Sequence, residues 1–126
     1  MEFDDLKSII DVSRDLELTL KSPNWEVIKY PISVSGSWMS KELFLKVFSE
    51  TSGYKNSDEV FAFESFERMY KATGKTNRLN AEFNLNWADF NNFQESTEIL
   101  YFYLVPQNLS WLLYGNRDFW QFAKGY

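Results

Sequence analysis

Carboxylates, lysines, arginines, tyrosines, serines and threonines are the groups this chain can bring to acid–base or nucleophilic chemistry. Its 126 residues include no cysteine and no histidine. That composition removes disulfides, thiolate nucleophiles, histidine bases, the Ser-His-Asp triad and Cys/His zinc sites. A pair of carboxylates could act as acid and base on a glycosidic bond. Nothing in the spacing of the 18 acids marks any two as such a pair. Asp4-Asp5 and Asp58-Glu59 are adjacent and suit helix starts, not the alternate-position acids, glycine and distant Glu of a calcium loop. Neither GxxxxGK[ST] nor GxGxxG occurs, and Gly53-Tyr54-Lys55-Asn56-Ser57, with its single glycine, reads as a loop. No catalytic residue, metal site or cofactor is assigned, and the chain reads as a non-enzyme.

The remaining chemistry is recognition. The net charge is -5 with a pI near 4.7, which disfavours direct binding to nucleic acid or to an anionic membrane. The acidity is uneven. Residues 1–20 carry six acids and two bases, whereas residues 79–116 carry Glu82, Asp89, Glu95 and Glu98 and no Lys or Arg at all. The second stretch is also rich in Trp, Phe, Tyr and Asn. Aromatics form 19% of the chain, with 12 Phe, 7 Tyr and 5 Trp. Most belong in a core, Phe63, Phe66, Phe102 and Trp111 among them, but a domain this small is not expected to hide every ring. Acids that steer an encounter and rings that anchor it are what a surface needs to hold a basic protein. Glu82, Asp89, Glu95 and Glu98, with Trp87 as anchor, are therefore the candidate partner-binding residues. A solvated charged face is the alternative reading of the same acids.

These residues need a scaffold, and the hydrophobic pattern outlines one. Residues 3–20 show helical spacing through Phe3, Leu6, Ile9, Ile10, Leu16 and Leu20, although Leu16, Leu18 and Leu20 also alternate as in a strand. Trp25–Val34 is β-like, and Pro31 argues for an edge. Ser40 caps a predicted helix through Glu50. A second helix is predicted from Ser57 to Gly74, with Val60, Phe63, Phe66, Met69, Tyr70 and Thr73 on one face; a strand at Val60–Phe63 is its rival. Period-two alternation predicts a strand at 79–86. Trp87–Ser96 reads as a short helix or a packed loop, and Ile99–Val105 as a buried central strand. Trp111–Tyr114 and Phe119–Ala123 read as a hairpin. Sequential strands with short links give a single α+β domain over residues 1–126, an antiparallel β-sheet with helices packed on one face.

The N-terminus Met1-Glu2-Phe3-Asp4-Asp5 lacks the early positive charge and apolar run of a secretory signal. The longest apolar run, Ile99 to Pro106, is too short to cross a bilayer. Both features, with the missing cysteines, lead to a cytoplasmic expectation.

The C-terminal run Ile99-Leu100-Tyr101-Phe102-Tyr103-Leu104-Val105-Pro106, then Ser110-Trp111-Leu112-Leu113-Tyr114 and Asp118-Phe119-Trp120-Gln121-Phe122-Ala123-Lys124-Gly125, resembles the closing hairpin of small bacterial immunity proteins of contact-dependent inhibition and other polymorphic toxin systems. The likeness covers about a quarter of the chain and transfers no functional residue. It implies a small cytosolic domain that binds one cognate toxin domain, often a basic nuclease, and neutralises it by stoichiometric occlusion. The alternatives are a DNA-mimic inhibitor of the anti-restriction kind, which should carry denser carboxylates, and a small adaptor subunit, which should expose a large apolar patch. Oligomeric state is left open by the sequence.

Overall fold

Consecutive apolar residues, not alternating ones, identify the centre of this protein. The computed structural model describes residues 2–11, 20–21, 25–31, 39–49, 59–65, 68–69, 73–74, 76–97, 99, 101–115 and 119–125. In chain order a 3-10 helix (Phe3–Ser8) is followed by β1 (Trp25–Pro31), α1 (Lys41–Ser49), β2 (Glu59–Glu64), β3 (Arg68–Met69) and β4 (Thr76–Asn77). Then come β5 (Asn80–Asn84), α2 (Trp87–Ser96), β6 (Phe102–Pro106), β7 (Trp111–Gly115) and β8 (Phe119–Gly125). Six strands form one antiparallel sheet in the order β1-β8-β7-β6-β2-β5, while β3 and β4 make a separate two-stranded ladder.

The central strands bury both faces, so each contributes to two clusters. Val60 and Ala62 of β2, Phe102 and Leu104 of β6, and Trp111 and Leu113 of β7 join Phe44, Val47 and Phe48 of α1 and Phe90 and Phe93 of α2. Their alternating neighbours Phe61, Phe63, Tyr103, Val105, Leu112 and Tyr114 join Leu6 and Ile10 from the N-terminal segment. Burial on both sides explains why these strands read as unbroken apolar runs.

The antiparallel sheet with a few helices agrees with the sequence expectation. The helix expected from Ser57 to Gly74 does not form: residues 59–64 are β2 and 68–69 are β3. Residues 60–65 are buried without interruption, and a segment packed between two layers gains more from burying both faces than from helical spacing on one. The N-terminal helix is also shorter than its pattern. It is a 3-10 turn ending at Ser8, after which Ile10 bridges Leu20 antiparallel; residues 12–19 lie outside the described segment. This turn is pinned to the sheet by rings and charge. Phe3 meets Phe63 edge-on at 6.0 Å, and the Arg78 guanidinium lies 3.5 Å over the Phe3 ring. Of the strand expected at Trp25–Val34, residues 25–31 form the outer strand β1 and 32–34 lie outside the described residues; α1 begins as expected, with Leu43 N–H donating to Ser40 Oγ at 3.2 Å.

Candidate functional site

Two backbone bonds fix which way β2 and its neighbour β5 face. Glu64 N–H donates to the Leu79 carbonyl and Ser65 N–H to the Tyr101 carbonyl, both at 3.0 Å. In an antiparallel ladder, hydrogen-bonded and non-hydrogen-bonded pairs alternate. Continuing the register, Ala81 and Phe83 exchange bonds with Ala62 and Val60, while Phe61 and Phe63 turn to Val105 and Tyr103 of β6. The backbone groups of Asn80, Glu82 and Asn84 therefore point away from the sheet, at its outer edge. Their side chains are exposed, while Ala81 and Phe83 are half-buried.

Beyond β5 the chain turns into α2. Asn86 caps it: its Oδ1 accepts from Asp89 N–H at 2.8 Å, and its Nδ2 donates to the Asp89 carboxylate at 3.2 Å. An acid in the first turn also suits the helix dipole. Asn86→Ala should cost about 1 kcal/mol in a urea denaturation, the usual loss for a cap. Phe90 and Phe93 then hold α2 on the sheet through Phe83, which stacks on Phe93 at 5.1 Å. Gln94, a buried polar residue the hydrophobic pattern gave no reason to notice, ties α2 to the start of α1. Its amide donates to the Met39 carbonyl at 3.1 Å, and its Oε1 accepts from Met39 N–H at 2.7 Å.

Between the β5 edge and α2 lies a groove of about 380 Å³, lined by Glu59, Glu82, Phe83, Asn84, Asp89 and Asn92. Among the described residues the lining holds three carboxylates and no Lys or Arg. Of the residues singled out from sequence, Glu82 and Asp89 meet here. Trp87 is half-buried, its ring 5.7 Å from Phe44 and 6.4 Å from Phe90, so part of its surface packs inward. Glu95 is exposed on α2 outside the groove lining, where Asn91 Nδ2 donates to it at 3.2 Å. Glu98 lies outside the described residues. Glu59 was missed because it falls in the first turn of the expected helix; as a strand residue it stands opposite Asn84. Among the described residues no aromatic side chain is fully exposed; the large apolar residues that are exposed are Val27 and Leu45. The expected surplus of exposed ring anchors is thus absent from the described surface, because the rings fill the layers above and below the sheet.

No group of three or more Asp, Glu, His or Cys among the described residues is arranged to hold a metal ion, and no helix there is long and apolar enough to cross a membrane. Comparison with protein-family models, with curated proteins and with solved structures finds no match in any of the three.

Proposed function

We propose that this chain is a stoichiometric binding protein of the immunity type, which neutralises a basic toxin domain, a nuclease, by covering its active site. The observation that supports this reading is the carboxylate-lined groove at the outer sheet edge, where Glu59 of β2 joins Glu82 and Asp89 from a stretch of 38 residues (79–116) that has no positive charge. A nuclease active site presents cationic groups to phosphates, and carboxylates on a rigid rim can occupy those groups and exclude the substrate. Glu59 and Glu82 are the exposed members, and Asp89 adds negative charge while holding the start of α2. In this reading both α-helices pack on one face of the sheet, which keeps the edge at β5 uncovered beside them. The chain acts in the cytoplasm, where its target would act.

The test starts from the coding sequence immediately upstream in the source DNA. A long secreted-protein gene ending in a basic domain supplies the partner. Titrating that purified domain with this chain should abolish nuclease activity at equimolar ratio, with a complex of one copy each by calorimetry. Nuclease activity that persists in excess chain would sink the reading. Competition by duplex DNA for a restriction enzyme target would instead favour the DNA-mimic alternative.

A further inference from the structure

We propose that the outer edge of β5 receives an extended basic segment of the partner as a seventh strand of the sheet; this deepens the binding reading above by naming the mode of docking. The N–H and carbonyl groups of Asn80 and Glu82 and the N–H of Asn84 face outward in the register set by the Glu64–Leu79 bond, and β2 is the one strand neighbour of β5 among the described residues. The Asn84 carbonyl is already taken by Asn86 N–H at 2.9 Å, which ends the available ladder where α2 begins. An unpaired edge is a template for strand addition. Natural sheets guard such edges with charged side chains, above all lysine, with proline or with a bulge; Asn80–Asn84 has no lysine, proline or bulge, and its one charge, Glu82, repels an acidic strand but attracts a basic one.

Charge decides the occupant. Glu59, Glu82 and Asp89 line the groove along this edge, so an added strand gains most when its side chains are Lys or Arg. A second copy of this chain is the wrong partner. Antiparallel self-pairing centred on Glu82 sets Glu82 against its own counterpart, and like charges directly opposite are destabilising. The incoming backbone is read by the Asn80 and Glu82 amide groups, and its side chains by the acids beside them.

Backbone amide exchange of the full chain tests this, alone, with the toxin domain, and with a short synthetic peptide alternating Lys and Val. The amides of Asn80, Glu82 and Asn84 should exchange fast in the free chain and slow down with either probe, the peptide effect weakening as salt rises. Glu82→Pro removes one outward N–H without touching the Ala81 and Phe83 bonds to β2. It should leave the circular dichroism spectrum unchanged and weaken toxin binding by about tenfold or more, whereas Glu82→Gln keeps the backbone donor and should lose less. A tight toxin complex in which these three amides exchange as in the free chain overturns the docking mode and leaves the immunity reading standing. Protection by the peptide with no toxin complex overturns the immunity reading alone. No protection by either probe overturns the edge proposal whether or not Glu82→Pro folds, and so does a dimer of the free chain that Glu82→Pro dissolves.

Discussion

Gly115→Ala should lower the stability of this protein by about 3 kcal/mol, near the upper end for inserting one carbon into a packed core. Gly115 is the last residue of β7, opposite Phe102 on one side and Trp120 on the other. The Trp120 ring lies across it to meet Phe102 edge-on at 5.8 Å. A Cβ on Gly115 would overlap Cζ3 of Trp120, stand 2.8 Å from its Cε3, and reach Cε1 of Phe102 at 3.1 Å. Neither ring has room to retreat, since both are 2% exposed and sit in the cluster with α1 and α2. Guanidinium denaturation gives the free energy directly, and the thermal midpoint should fall by roughly 10 °C. Gly74→Ala is the matched comparison. Gly74 has a positive φ of 68° but nothing within 4 Å of an added Cβ, so its cost is conformational, about 1 kcal/mol. Equal losses at the two positions would mean that the Trp120 ring yields and the close approach is not what holds β7 against β8.

The same two-sided packing separates what the residues disclose from what they hide. β5 is an edge strand with one wet face, so Ala81 and Phe83 alternate with exposed Asn80, Glu82 and Asn84, and period two is visible without a structure. α1 is legible for the equivalent reason: its stripe of Phe44, Val47 and Phe48 has a solvent side, and Ser40 marks its start. β2 has no wet side. Val60 to Phe63 therefore carry no alternation, and with aromatics at 19% of the chain a helical face through Val60, Phe63 and Phe66 arises from density alone. That misreading propagated to the site. Once residue 59 belongs to a helix, nothing connects Glu59 to Glu82, because the link is a strand register between residues more than twenty positions apart. Charge, by contrast, is local in sequence: Glu82 and Asp89, both from the base-free stretch 79–116, are two of the groove's described lining residues. Glu95 shares that stretch but stands exposed on α2 outside the groove lining.

That division gives the binding proposal its sharpest measurement. The double reversal Glu59→Lys with Glu82→Lys should weaken the toxin complex by about 100-fold, roughly 1.4 kcal/mol for each pair turned from attraction to repulsion. Both side chains are exposed and neither caps a helix, so folding should be little affected. Asp89 is left alone because its backbone N–H and carboxylate hold the start of α2. The matched control is Glu42→Lys with Glu95→Lys. It changes the net charge by the same amount at two exposed positions away from the groove. If acidity works only by long-range steering, the two doubles slow association equally and leave dissociation unchanged. If the groove is the contact, the groove double speeds dissociation and the control does not. Rates from surface plasmon resonance at two salt concentrations separate these outcomes, because steering is screened by salt whereas close pairs at a dry contact are screened much less. Equal dissociation rates for the two doubles would place the toxin on another face of the sheet, and the edge of β5 with it would lose its claim as the docking strand.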